Sequence, residues 1–227
     1  MYSEYYFGKG DSVVTGVMSS RYKDIRDKCL EAWGKVDPGV GVKIIIKDTS
    51  GEDEETFQGN KVINELVEKV TTPFVLLLND DVYPIMHGWV VGLLRCLQKY
   101  SLSCVAPNFT QKFDGYDIKL GSNMTICRKG FPLEGVSGGT LLCRTEDWRE
   151  VGGYDENYLW NYDDVDLTWR LNELNNYDEG AMICWLLVHH PDKSTTSRNQ
   201  EVYDRKIETT RVFHNKKWGI KEDGIKG

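Results

Sequence analysis

Phe74-Val75-Leu76-Leu77-Leu78-Asn79-Asp80-Asp81 is the stretch from which the fold can be read. An unbroken apolar run of this length, stopped by polar residues, predicts a strand buried on both faces, as in parallel sheets covered by helices. Thr71-Thr72-Pro73 stops the helix before it, and Asn79-Asp80-Asp81-Val82-Tyr83-Pro84 follows at its carboxyl end.

Upstream, Val62, Ile63, Leu66, Val67 and Val70 recur at helical spacing behind the acidic loop Gly51–Glu55. Val42–Ile46 is a second continuous apolar run, ending at Lys47-Asp48, and Ser12–Val17 is a shorter β-branched one. Between them Tyr22, Ile25, Cys29 and Trp33 mark a helix. Downstream, Trp89–Tyr100 presents an apolar helical face and Cys104–Pro107 reads as a strand. The order is βαβαβαβ. It predicts an α/β domain with a mainly parallel central sheet flanked by helices and a small antiparallel addition, ligands binding beyond the carboxyl ends of the strands.

Residues 108–135 lose periodicity and read as a long connection of the kind kept for function. Val136–Arg144, Trp148–Leu171, Ile183–Val188 and a polar helix near Gln200–Trp218 complete the chain. No repeat or linker divides its 227 residues, so a single domain is expected.

Composition narrows the function. A net charge of −7 argues against a surface that neutralises nucleic-acid phosphates. The longest strongly apolar run, Ala181–Val188, falls far short of the roughly 20 residues a membrane span needs. The first residues carry no secretory pattern, so a cytoplasmic location is expected. Cysteines 29, 96, 104, 127, 143 and 184 form no C-x-x-C pair and sit mostly in apolar stretches, which predicts buried free thiols.

Two acidic groups carry the chemistry. Asp80 and Asp81 emerge from a buried strand, where a divalent cation with phosphate oxygens as co-ligands would stabilise them; an ordinary Asp-rich turn is the alternative. Asp163-Asp164-Val165-Asp166 lies between Tyr158-Leu159-Trp160 and Leu167-Thr168-Trp169-Arg170. These carboxylates suit a helix start, with Asp166 and Arg170 paired across one turn. A carboxylate there is also placed to take a proton from an incoming hydroxyl. Gly138-Gly139 precedes the strand Thr140–Cys143 and admits close approach of a ligand to the backbone. His189-His190 ends an apolar run and is a candidate metal-ligand pair. His87 and His214 read as structural.

Together these segments resemble family 2 of the glycosyltransferases, which have the GT-A fold. The resemblance rests on Gly138-Gly139-Thr140-Leu141-Leu142-Cys143-Arg144, Val151-Gly152-Gly153-Tyr154-Asp155-Glu156, and Tyr162-Asp163-Asp164-Val165-Asp166-Leu167-Thr168-Trp169-Arg170. Leu78-Asn79-Asp80-Asp81-Val82 is similar to the family's D-x-D motif, and Phe213 with Lys216-Lys217-Trp218-Gly219 to a C-terminal pattern.

The resemblance implies a metal-dependent, inverting transfer of one sugar from a nucleotide-diphosphate sugar, UDP by default with dTDP and GDP open, to a glycan or glycoconjugate hydroxyl. It implies a nucleotide-binding part at about 10–107 and an acceptor-binding part at about 108–227. Asp48 would contact the base, and Asn79 or Asp80 the ribose and phosphates; Thr15, Arg21, Asn60, Gly138 and Gly139 join that binding set. Asp81 would hold Mn²⁺ or Mg²⁺ with His189 or His190. Asp164, with Asp163 beside it, would be the base, and Trp160 and Tyr162 would face the acceptor. Asn79 stands where the family often has Asp, and Asp163 where it has Glu. A sugar-phosphate nucleotidyltransferase and a non-catalytic sugar-binding domain are the rival readings. Companion domains in a longer polypeptide stay open.

Overall fold

The computed structural model describes residues 2–110, 124–127, 136, 139–174, 180–189 and 200–220. Their elements run β1 (Tyr2–Phe7), β2 (Ser12–Ser20), α1 (Lys23–Lys35), β3 (Gly41–Asp48), α2 (Gly59–Val67), β4 (Phe74–Asn79), β5 (Tyr83–Pro84), α3 (Trp89–Lys99), β6 (Cys104–Thr110), β7 (Met124–Cys127), β8 (Thr140–Arg144), α4 (Thr145–Glu150), α5 (Asp163–Leu174), β9 (Gly180–His189) and α6 (Gln200–Trp218). The strands join one sheet in the order β1-β3-β2-β4-β8-β6-β9-β5, with β7 on β9.

Side chains alternate across each strand, so the sheet has two buried faces. Val14, Met18, Ile44, Ile46, Leu76 and Leu78 pack with Cys29 and Trp33 of α1 and with Trp89, Val90 and Leu93 of α3. Val17, Ile45, Val75, Leu77, Leu141 and Cys143 point the other way, onto Val62 and Leu66 of α2, Trp148 of α4, and Leu167 and Leu171 of α5. This explains why the apolar runs are continuous rather than alternating. Cys29, Cys96, Cys104 and Cys143 are buried free thiols, as expected.

The α/β class is the one expected, yet the antiparallel share of the sheet is larger than the alternation implied. β2, β3 and β4 form parallel ladders, as do β6 and β9, whereas β1, β8, β5 and β7 run against their neighbours. The four strands of the βαβαβαβ reading do share one direction. β8 is inserted between β4 and β6, pairing antiparallel with both. β1 was not foreseen: it is an edge strand with mostly exposed side chains, so no burial pattern marks it.

Trp148–Leu171 spans the end of one helix, a loop and most of another. α4 ends at the glycine pair, where Gly152 (φ 80°) and Gly153 (φ 71°) turn the chain left-handed and donate to the Arg149 and Trp148 carbonyls. The next helix starts only at Asp163. Among the described residues no helix is long and apolar enough to cross a membrane.

Candidate active site

Parallel strands carry their carboxyl ends to one edge. Ser19, Ser20 and Arg21 leave β2, Asp48 and Thr49 leave β3, and Asn79, Asp80 and Asp81 leave β4. Gly139, the first turn of α2, the 154–162 loop and the start of α5 close around them. They enclose a cavity of about 380 Å³. Among the described residues its walls bear Asp80, Asp81, Asp163 and Asp164 and one cationic side chain, Arg21.

Asp80 accepts a hydrogen bond from the Ser20 hydroxyl at 2.7 Å. Burial, reinforced by the charge of Asp81, nevertheless pushes its pKa up to about 7. Asp81 is buried beside it. The turn they sit on is pinned by Val82 N–H on the Asn79 carbonyl and by the Cys29 thiol donating to the Val82 carbonyl. Asn79 N–H in turn donates to Gly139 O at 2.9 Å, joining the acidic turn to the glycine before β8.

The donor chemistry of this turn fits a hard divalent cation, which favours oxygen ligands and offsets crowded carboxylates. Two buried carboxylates would supply part of such a cation's oxygen ligands. Among the described residues no third His, Cys, Asp or Glu converges with them. His189 does not line the cavity; it ends β9 opposite Tyr83, with the two rings 5.9 Å apart. Its strand partner lies just two positions past Asp81, which keeps it at the same sheet edge. His190 and Gly138 lie outside the described residues.

On the opposite wall, Asp163 and Asp164 open α5. Asp164 accepts the Val165 N–H at 2.8 Å, and both carboxylates lie in the first turn, where the helix dipole favours negative charge. Asp163 is driven well above the ordinary carboxylate range by burial and then by the charge of Asp164. Asn60 donates to the Tyr158 carbonyl at 3.0 Å and also hydrogen-bonds Asp163. One turn on, Asn64 pairs with Tyr154, donating to its carbonyl and accepting its N–H, both at 2.9 Å. The polar side of α2 thus clasps the loop that leads to the acidic pair. Gly153 is required there, since a Cβ would come within 2.5 Å of Asn64 Oδ1.

Arg21 bonds the Glu52 carbonyl, lies 3.4 Å from Glu54 and covers the Phe57 ring. Trp160 lines the cavity and packs on Tyr203 with ring centroids 4.4 Å apart.

Several expected residues stand elsewhere. Thr15 is buried in the middle of β2 and bonded to Thr72, well before the carboxyl edge, so it does not line the cavity. Asp48 does end β3, but its carboxylate accepts the Ser50 N–H and a 2.9 Å bond from Arg26, interactions that hold its pKa well below the usual range. Asp48 is not a wall residue; its neighbour Thr49 is. Tyr162 turns away and stacks on His214, the rings 28° apart in tilt.

His214 lies close enough to Asp166 to feel its charge, and burial keeps it neutral by lowering its pKa to about 4. His87 lies just before α3 and accepts the Asp37 N–H. Ser20, Phe57, Tyr154, Leu159 and Tyr203 were not foreseen in the site. Ser20 had a usable signal: it ends β2 as Asp80 follows the end of β4. Tyr203 had none, because its place depends on how α6 returns.

No protein-family model matches the chain. It is 32% identical to the pre-mycofactocin glycosyltransferase of Mycobacterium tuberculosis, with the match covering 55% of this chain and 34% of that protein. The chain thus spans about a third of the length of the curated relative it matches. Among solved structures it is similar to a mannosyltransferase of Pyrobaculum calidifontis in complex with GDP-Man and Mn²⁺, with TM-score 0.60 and 9% identity over 90% of this chain and 64% of that one. It is also similar to residues 1–349 of S. aureus TarS, with TM-score 0.52 and 10% identity over 92% and 73% of the two chains. The chain shares the fold of these structures, consistent with a single GT-A domain.

Proposed function

We propose that the chain is a glycosyltransferase that moves one sugar from a nucleoside-diphosphate sugar to a hydroxyl of a glycan or glycoconjugate, inverting the anomeric centre. The observation that carries this reading is the acidic cavity. Among the described residues the wall sets four carboxyl groups against one guanidinium, a balance that would disfavour an anionic diphosphate unless a divalent cation bound with it. The sequence relative named a glycosyltransferase and the shared fold support the same reading.

Asp81, with Asp80 beside it, would hold Mn²⁺ or Mg²⁺, and one of His189 and His190 could complete that site. When bound, the cation supplies positive charge that offsets the departing diphosphate. Arg21 faces the same group from β2, and Asn79 the ribose. Across the cavity Asp164 accepts the acceptor's hydroxyl proton as the new bond forms, and Asp163 shares that proton through their common charge. Trp160 offers an aromatic face to a sugar ring.

In this reading residues of about 10–107 bind the nucleotide and residues of about 108–227 bind the acceptor. Reaction takes place where α2 meets the 154–162 loop. The enzyme works in the cytoplasm, alone or as one part of a longer polypeptide. UDP is the donor nucleotide we favour, while the mannosyltransferase of similar fold holds GDP-Man.

The test is calorimetric titration with UDP, dTDP and GDP, each with Mn²⁺ and again with excess EDTA. Metal-dependent binding of one nucleotide supports the reading and selects the donor class. Binding of none moves the chain to the non-catalytic alternative.

A further inference from the structure

α6 buries a face that is polar where a packing helix is normally apolar. Tyr203, Lys206, Thr210 and His214 are all buried; Tyr203, Lys206 and Thr210 meet residues of the cavity wall, and His214 meets the loop just before Asp163. Tyr203 meets the Trp160 ring. Lys206 Nζ donates to the carbonyls of Glu54 and Phe57, at 2.6 and 3.1 Å. The Thr210 hydroxyl, wholly buried, accepts both the Leu159 and the Trp160 N–H, at 3.1 and 3.2 Å. His214 Nδ1 shares a 2.9 Å bond with the Tyr158 hydroxyl and supports the Tyr162 ring at 5.0 Å.

The strip so held carries backbone strain. Asn161 (φ 69°) and Tyr162 (φ 61°) are consecutive non-glycine residues in the left-handed region, directly before Asp163-Asp164. Such residues persist only where their surroundings hold them, and they gather at functional sites. Anchors stand on both sides of the strain: Thr210 before it, the His214 stack on it, and the Asp166 N–H on the Tyr162 carbonyl at 3.0 Å after it. Released, the strip would relax and carry the two carboxylates out of the cavity.

We propose that α6 is a polar splint for the acid-bearing loop, with Thr210 and His214 as positioning residues that set the place of Asp163 and Asp164. The structural part rests on the contacts alone; its catalytic consequence rests on the transferase reading above.

The experiment compares the full chain with Thr210→Val, Thr210→Ser and His214→Gln by peptide-resolved hydrogen exchange. The same proteins are assayed for release of nucleoside diphosphate from UDP-glucose and GDP-mannose with Mn²⁺. Thr210→Val keeps the side chain's shape but leaves two interior N–H groups without their acceptor, a loss that carries a factor of about ten or more. Exchange over 158–166 should rise about tenfold while β2 and β4 stay protected. Turnover should fall by about tenfold or more with KM within about threefold, the pattern of misplaced reacting groups. Thr210→Ser should restore both.

Unchanged exchange over 158–166 in Thr210→Val overturns the splint, as does a loss spread evenly along the chain or a failure of serine to rescue. Should Thr210→Val not fold, His214→Gln is read by the same criteria. Absence of diphosphate release from the wild-type chain counts against the transferase reading, while the exchange result still decides the splint.

Discussion

The Trp218 indole donates to Asp166 at 2.9 Å, joining the last turn of α6 to a carboxylate 52 residues earlier. Asp166 is wholly buried, and Arg170 (2.8 Å), Lys217 (2.7 Å) and the Tyr158 hydroxyl (3.2 Å) also point at it. The acidic motif and the terminal Lys-Lys-Trp pattern are therefore two halves of one interaction. Asp166→Ala would leave these donors around an empty site. We expect a loss of about 3–5 kcal/mol, the usual result of removing one partner from a buried charge network. Urea denaturation would measure it, and a loss below about 1 kcal/mol would mean that water already satisfies the donors.

Asp81→Ala should abolish the metal dependence of nucleotide binding. The expected weakening of affinity is about 100-fold in the presence of Mn²⁺, with little change in EDTA. Calorimetry that finds equal affinity in wild type and variant would remove Asp81 from the metal site.

Asp164→Asn should separate binding from chemistry. Affinity for the nucleoside diphosphate should stay within about twofold while turnover drops by a factor of about 10² to 10⁴, the range for loss of a general base. Wild-type-like turnover would pass the role to Asp163.

Stability should fall as pH rises through the window set by the cavity carboxyls. Asp80, raised to about 7 from 3.8, keeps a proton in the folded protein that the unfolded chain has already released. Asp163 acts in the same direction. His214 works the other way: neutral in the fold, it contributes stability above about pH 6.5 that is lost as pH falls towards 4. Asp80→Asn isolates the first effect. Melting curves in EDTA should show the variant gaining on the wild type between about pH 4 and 7; parallel curves would contradict the raised pKa.

The first half of the fold was legible because β3, β4 and the apolar stripe of α2 advertise burial through local pattern alone. The carboxylates at the end of β4 and the start of α5 were legible for the same reason, as charges abutting apolar runs. What stayed hidden depends on long-range pairing. β8 lies antiparallel between β4 and β6, a placement that no periodicity of Thr140–Arg144 encodes. Thr15 looked eligible by its strand, but register places it on Val75, at the start of β4 rather than its end. Tyr203, Thr210 and His214 lie on a helix whose inward face is polar, so hydropathy could not tell which side is buried.

The position of β4 also bears on how the chain is made. Its partners are β2, already synthesised, and β8, some 66 residues further on, as the pairing of Leu76 with Leu142 shows. Until that segment leaves the ribosome, the most apolar strand has one bare edge. Any product cut short before Thr140 would carry Val75, Leu76 and Leu77 on an open template for another chain's backbone. The same central strand that carries the acidic turn to the cavity is thus the point at which a truncated chain should aggregate.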